Sequence, residues 1–315
     1  MRCTKADMTK LLSNLRDTLP RLVKLDRRLD EVKINQGLLL GELNREKRSA
    51  QLSDYEFKIF SQWGEDGIIQ HLTRHLKIEN RSFIEFGVED FFESNCRFLF
   101  MKDQWDGLVI DGSEANMDRL RSSYFFWRGP LQAKASFITR ENVCGLLDES
   151  GFDKRLGILS VDVDGVDYHL LEVLQDWRAS IVVVEYNSLF GPTRRVTVPY
   201  DAGFQRTKAH WSNLYYGASL SAFAGLLDSR GYALVGGNSV GSNAFFVRRD
   251  LLNDRVQETS VAQCFRESAF REARDEHGQL TLRSAKASGP VVADLPLIDL
   301  TSGKTIRVAD VLAGG

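Results

Sequence analysis

Between Ser53 and about residue 250 the chain alternates short, unbroken apolar runs with stretches whose apolar positions recur every three or four residues. The runs at 82–86, 107–110, 131–135, 157–161, 181–184, 233–235 and 244–247 predict strands, because an element apolar at every position is buried on both faces. Amphipathic stretches at 95–102, 116–124, 143–149, 168–174 and 220–229 predict helices between them. Strands and helices in alternation mean a largely parallel α/β sheet covered on both sides. The last two strands are separated only by the Gly/Asn/Ser-rich segment 236–243, which predicts an antiparallel hairpin at one edge.

The flanks read differently. Over 1–52, Leu12, Leu15, Leu19, Leu22, Leu25, Leu29, Val32, Leu39 and Leu43 fall at helical spacing among charged residues, an amphipathic arm with a coiled-coil flavour. Pro20 interrupts that run, Gly37 and Gly41 lower its helix propensity, and the step from Leu22 to Leu25 departs from heptad register. The arm either packs on its own domain or makes a homo-oligomer. Ser53-Asp54-Tyr55-Glu56 fits a capping box opening a helix, with a second helix through 67–72. Residues 251–315 form an extension: charged, helix-like sequence to about His277, then a small hairpin around Thr301-Ser302-Gly303-Lys304. The domains expected are therefore 1–52, 53–250 and 251–315.

Composition narrows the class. The 315 residues carry a net charge of −2, so nothing draws the chain electrostatically to nucleic acid. Cys3, Cys96, Cys144 and Cys264 lack paired spacing, which excludes a zinc knuckle or disulfide framework and points to a reducing, cytoplasmic setting. No apolar stretch has the length of a membrane span, and no signal peptide is recognisable.

In an open parallel sheet, ligands bind outside the carboxyl ends of the strands. After the first strand comes Glu85-Phe86-Gly87, and Glu93-Ser94-Asn95 opens the next helix. A lone Gly87 without the rest of a G-x-G-x-x-G fingerprint argues against a dinucleotide pyrophosphate. S-adenosylmethionine, which has no phosphate, needs only one close-approach glycine and a nearby carboxylate. Asp111-Gly112-Ser113 follows the second strand, where an acid can accept the hydroxyls of an adenosine ribose; the plainer alternative is a solvated turn aspartate. After the fourth and fifth strands come Asp162, Asp164, Asp167, Glu185 and Asn187. If those strands are neighbours, Asp162, Asp164, Glu185 and Asn187 converge. Crowded carboxylates need a cation or a proton, and an all-oxygen set suits Mg²⁺ or Mn²⁺ rather than zinc. The competing reading gives Asp164 and Asp167 to a helix N-terminus. His169 and His210 are the histidines near these loops, and His210, in the polar aromatic tract Lys208–Gly217, faces substrate and is a candidate base.

Six motifs occur in order: Ser61-Gln62-Trp63-Gly64-Glu65-Asp66-Gly67, Phe83-Ile84-Glu85-Phe86-Gly87, Glu93-Ser94-Asn95, Val109-Ile110-Asp111-Gly112-Ser113, Leu159-Ser160-Val161-Asp162-Val163-Asp164-Gly165 and Val184-Glu185-Tyr186-Asn187. Together with Val198-Pro199-Tyr200-Asp201 and Tyr216-Gly217-Ala218-Ser219-Leu220, they resemble a bacterial group related to the FkbM-type methyltransferases, associated with polysaccharide and glycolipid loci. The resemblance covers residues 55 to 250. It implies a Rossmann-like class I methyltransferase fold, S-adenosylmethionine as cofactor and a sugar hydroxyl of a glycan or glycolipid as acceptor. It also implies that Glu85, Gly87 and Asn95 line the methionine end, that Asp111 with Ser113 takes the ribose side, and that Gln62, Gly64, Glu65 and Asp66 close over the cofactor. Asp162 matches the first metal position of catechol-type O-methyltransferases, whereas Glu185-Tyr186-Asn187 departs from their Asp-Asn pair.

The expectation is thus an O-methyltransferase in which His210, Asp162 or Asp164 takes the proton, with a divalent cation assisting. The rivals are an inactive methyltransferase-fold assembly protein of a glycan-synthesis complex and a metal-dependent enzyme of another kind on the same fold.

Overall fold

A computed structural model describes the backbone of residues 5–313 and the side chains of 24–313 except Ala285. The side chains of Leu12, Leu15, Leu19 and Leu22, and all of Cys3, lie outside the described residues. The main sheet holds β1 (Ser82–Phe86), β2 (Asp106–Asp111), β3 (Leu131–Ala135), β4 (Ile158–Val161) and β5 (Ile181–Glu185). The two-residue β6 (Val196–Thr197) stands apart, and β7 (Tyr232–Gly237) and β8 (Asn243–Arg248) complete the sheet. The order is β3-β2-β1-β4-β5-β8-β7. The first five strands are parallel, and β8 runs antiparallel to both β5 and β7. This is the Rossmann-like arrangement expected from the sequence, a mostly parallel seven-stranded sheet with an antiparallel edge hairpin. Each predicted strand is found within two residues of its expected ends.

The strands alternate their apolar cargo between two cores, as the pleat requires. Phe83 of β1 packs with Val109, Ile181 and Phe245 on one face; Ile84 and Phe86 pack with Ile110, Val161 and Val184 on the other. On the first face lie α1 (Lys5–Arg45), α2 (Glu65–His75) and α3 (Arg97–Asp103). Then follow α4 (Glu114–Arg121), α5 (Val143–Asp148), α6 (Asp167–Val173), the single turn α7 (Arg206–Ala209) and α8 (Leu220–Asp228).

Three expectations change. Pro20 does not interrupt α1, which runs unbroken for 41 residues. Gly37 and Gly41 serve as its contact points: a Cβ on Gly37 would sit 2.5 Å from the Phe98 ring, and one on Gly41 2.0 Å from the Gln70 amide. The glycines trade helix propensity for close approach. Second, 53–56 opens no α-helix. Leu52–Tyr55 is one 3-10 turn without a side-chain cap, because Asp54 is drawn to the Ser49 hydroxyl and Glu56 to the backbone N–H and hydroxyl of Ser239.

Third, the charged stretch after 251 is largely irregular, with only the short α9 (Val261–Cys264) and α10 (Ala285–Ser288) before residue 289. Its backbone bonds go to the domain: Ser268 N–H to Ser188 Oγ at 2.9 Å, Ala269 N–H to the Val240 carbonyl at 2.8 Å, and Arg274 N–H to the Ser212 carbonyl at 3.2 Å. Tertiary pairing displaces the local helix. The terminal hairpin is present as β9 (Pro296–Asp299) and β10 (Lys304–Arg307), followed by α11 (Val308–Leu312). β9 also takes up β6 as a third strand. No described helix is long and apolar enough to cross a membrane.

Candidate functional site

After β3 the chain crosses to the other side of β1, so the switch point where such sheets bind ligands lies between β1 and β4. The loops above it carry the expected residues, in three groups.

The first group surrounds the ends of β1 and β2. Asp111, half-buried at the end of β2, accepts from Ser113 N–H at 2.8 Å and Asn116 Nδ2 at 3.0 Å on Oδ1, and from Glu89 N–H at 2.9 Å on Oδ2. A carboxylate has about four lone-pair directions, so Oδ2 keeps one free for an incoming hydroxyl. Ser113 caps α4 through Asn116 N–H. The loop beside Asp111 is strained: Gly87, Glu89 and Phe91 have φ of 71°, 47° and 64°, a concentration of left-handed residues characteristic of ligand sites. The need for glycine at 87 comes from the chain itself, since a Cβ there would lie 1.7 Å from the Asp162 carbonyl oxygen. On the far side of Gly112 is Phe137, just past β3, 3.6 Å from the position of a Cβ on that glycine and 45% exposed.

The second group is turned inward. Glu85, expected at the methionine end, is buried and accepts from Ser94 Oγ at 2.7 Å, Asn95 N–H at 2.8 Å and Cys96 N–H at 3.0 Å; burial raises its pKa despite these bonds. The Asn95 amide reaches Ser160 Oγ at 3.2 Å. Glu65 accepts from Asn238 and Asn243 at 2.7 and 3.0 Å and from Trp63 N–H at 3.0 Å. Asp66 Oδ2 gathers the N–H groups of Ile59, Phe60 and Ser61 within 2.7–2.8 Å. Burial lifts its pKa to about 6. A Cβ on Gly64 would meet Glu56 Cβ at 2.7 Å. Gln62 alone of this set is exposed. Glu65, Asp66 Oδ2 and Gly64 therefore fasten the 56–66 loop to the domain, while Asp66 Oδ1 is buried without a partner among the described residues.

The third group is the acidic cluster. β4 and β5 pair with Val161 beside Val184, so the next residues, Asp162 and Glu185, end up side by side. Asp164 joins them, and one carboxylate oxygen of each lies within 4.8 Å of the others. Asp167 holds this turn by accepting Val163 N–H at 2.7 Å and Gly165 N–H at 3.0 Å, which leaves Asp164 with φ 56°. Burial, followed by repulsion among the acids, pushes Asp162 and Glu185 well above the usual carboxylate range, and Glu185 Oε2 is buried without a hydrogen-bond partner among the described residues. Arg206 on α7 supplies positive charge. Its guanidinium bonds Asp164 at 2.7 Å, contacts Glu272 and lies 3.7 Å from the centre of the Tyr216 ring. Burial opposes that charge, but Tyr216, Glu185, Asp164 and Glu272 hold the Arg206 pKa above its ordinary value.

Asn187 does not join the cluster. Its Nδ2 donates to the Leu214 and Tyr216 carbonyls, each at 3.0 Å, and its Oδ1 accepts from Leu189 N–H at 3.0 Å, so the amide is consumed in anchoring the 214–216 loop. His210 also differs from expectation. Its Nδ1 accepts from Ser212 N–H at 3.2 Å and lies 2.8 Å from Ser212 Oγ. The neutral ring therefore carries its proton on Nε2 and has no free basic lone pair. His169 Nε2 bonds the Val198 carbonyl at 2.9 Å and is buried. Beside His210, Trp211 is 38% exposed, the two ring centres 4.7 Å apart.

Sequence reasoning missed Arg206, Glu272 and Phe137, and gave Tyr216 no role at the acidic cluster. The need for a positive charge was foreseeable from the crowding of Asp162, Asp164 and Glu185, although the sequence pattern pointed to a cation or a proton rather than to Arg206.

No protein-family model matches the chain, and no curated protein matches it. Among solved structures it is similar to the CurJ carbon methyltransferase, at 10% identity and TM-score 0.38 over 58% of this chain and 52% of that one. It is similar to an O-methyltransferase family protein from Burkholderia thailandensis, at 12% and 0.35 over 62% and 58%. A third is an S-adenosylmethionine-dependent methyltransferase from Clostridium acetobutylicum, at 7% and 0.37 over 58% and 89%. The chain spans little more than half the length of the first two.

Proposed function

We propose that the protein is an S-adenosylmethionine-dependent O-methyltransferase acting on a sugar hydroxyl of a glycan or glycolipid. The observation that carries this reading is Asp111: a half-exposed carboxylate at the end of β2, one lone pair open, between the strained Gly87–Phe91 loop and the bare face of Phe137. An acid and an aromatic face at neighbouring strand ends fit a ribose and an adenine ring.

S-adenosylmethionine supplies an electrophilic methyl group on its sulfonium. The chain's part is to hold the acceptor hydroxyl in line and to take its proton as the new C–O bond forms and the C–S bond breaks. Asp162 with Glu185 suits that proton, since burial and repulsion make these carboxylates stronger bases than free acids. Asp164, exposed and paired with Arg206, is the weaker candidate. The exposed Trp211 offers an apolar face to a sugar ring, and the motif resemblance supports the same acceptor class. The test is incubation with methyl-labelled S-adenosylmethionine and glycolipid acceptors. Label in a base-stable ether is expected, and its loss in Asp162→Asn.

A second reading adds a divalent cation held by Asp162, Asp164 and Glu185. The orphaned Glu185 Oε2 and the all-oxygen donor set support it; Arg206 competes with it. Turnover unchanged after EDTA treatment removes the metal from the account.

A further inference from the structure

The helix α1 has two dissimilar faces. Asp30, Ile34, Gly37, Gly41 and Asn44 turn toward the domain. The opposite face carries Leu25, Leu29, Val32, Leu39 and Leu43, which are 51, 49, 63, 69 and 77% exposed. Their spacing alternates four and three, with Gln36 at the one position between Val32 and Leu39 that the alternation also calls for. This is the 3.5-residue repeat of a coiled-coil seam, Leu29, Gln36 and Leu43 at a, Leu25, Val32 and Leu39 at d. In the sequence the frame extends back through Leu22, Leu15 and Leu11, with Thr18 at the intervening d position. The apparent break at Leu22–Leu25 arises only when Leu12 and Leu19, which flank the seam, are counted in it.

Five apolar side chains exposed to this degree amount to roughly 500 Å² per copy, near the upper limit that a monomer leaves bare. Two copies together bury on the order of 1,000 Å², where interfaces become specific. Every copy of the chain carries the same seam. Gln36 decides the alignment: in a parallel, in-register pair it meets its own counterpart and the two amides bond each other. In an antiparallel pair it faces an apolar d residue and loses a partner. The flanking positions mix signs, Asp26 and Glu42 with Arg28 and Lys33, unlike the basic face of a helix that lies on anionic lipid.

We propose that α1 pairs with α1 of a second copy as a parallel coiled coil, each domain carried on the outer face of its own helix. Light scattering on the full chain is expected to give twice the 35.6 kDa of one chain. Leu29→Glu combined with Leu39→Glu is expected to return the single-chain mass with the thermal unfolding of the domain unchanged. Gln36→Cys is expected to cross-link two copies on mild oxidation. A wild-type chain of single mass, a double variant that keeps the doubled mass, or a Gln36→Cys chain that does not cross-link overturns the proposal. So does a monomeric wild-type chain that sediments with phosphatidylserine vesicles.

Discussion

The Arg97 guanidinium at the start of α3 and the Asp30 carboxylate on α1 meet at 2.6 Å. Arg97 is among the most buried side chains of the protein, its charge enclosed by the rings of Phe60, Phe92 and Phe125 at 4.2, 4.9 and 4.2 Å. Burial lowers its pKa and Asp30 opposes that effect. Tyr124 also bonds Asp30. The N-terminal arm thus contributes to the domain a carboxylate that neutralises a charge buried inside it.

Asp30→Ala leaves that guanidinium buried and unpaired, which costs about 3–5 kcal/mol. Urea denaturation is expected to show a loss of this size, and limited proteolysis to cut α1 faster. Stability within about 1 kcal/mol of wild type would mean that Arg97 is neutralised elsewhere.

Gly37→Ala reverses a familiar sign. An exposed helical glycine gains about 1 kcal/mol on replacement by alanine. Here the new Cβ meets the Phe98 ring at 2.5 Å, and overpacking costs about 1–3 kcal/mol. Thermal unfolding is expected at a lower temperature than for wild type.

The buried groups give stability opposing pH slopes. Asp66 and Asp167 have folded pKa values of about 6 against 3.8 unfolded, from burial. A raised folded pKa means a contribution fully present below 3.8 and lost as pH rises through 6. His71, lowered by burial to about 4 from 6.5, contributes above 6.5 and loses that contribution as pH falls toward 4. Asp66→Asn is therefore expected to gain on wild type as pH rises from 4 to 7, by up to roughly 3 kcal/mol. His71→Phe is expected to flatten the acid limb. Parallel pH curves for wild type and Asp66→Asn would contradict this assignment.

Asn187→Ala strands the Leu214 and Tyr216 carbonyls in the interior. A cost of about 1–3 kcal/mol is expected, with faster amide exchange at Gly217 and Ser219. Unchanged stability and exchange would return Asn187 to the cluster.

The sheet was legible in the sequence because doubly buried strands are uninterrupted apolar runs, as in Ile181-Val182-Val183-Val184, and their parallel direction follows from alternation with helices. The pairing of β4 with β5 was a condition the sequence left open; once it holds, the meeting of Asp162 and Glu185 follows. The fate of each polar group could not. Glu65 and Asp66 look in sequence like residues over a cofactor, yet Asp66 Oδ2 is claimed by the 59–61 backbone and Glu65 by Asn238 and Asn243, the latter two close only in the folded chain. Gly37 and Gly41 read as weaknesses of a helix when the aromatic and amide groups that need them, Phe98 and Gln70, are more than twenty residues away. The segment 265–283 lost its local helical preference to bonds with Ser188, Ser212 and Val240, which no local pattern announces.

Everything proposed about chemistry turns on whether Asp111 grips an adenosine ribose, and titration calorimetry with S-adenosylhomocysteine asks that directly. The account predicts saturable one-to-one binding by the wild-type chain and affinity at least about tenfold weaker in Asp111→Ala, a loss of about 1.4 kcal/mol or more. Equal affinity in the two proteins, or no binding by the wild type, would contradict it.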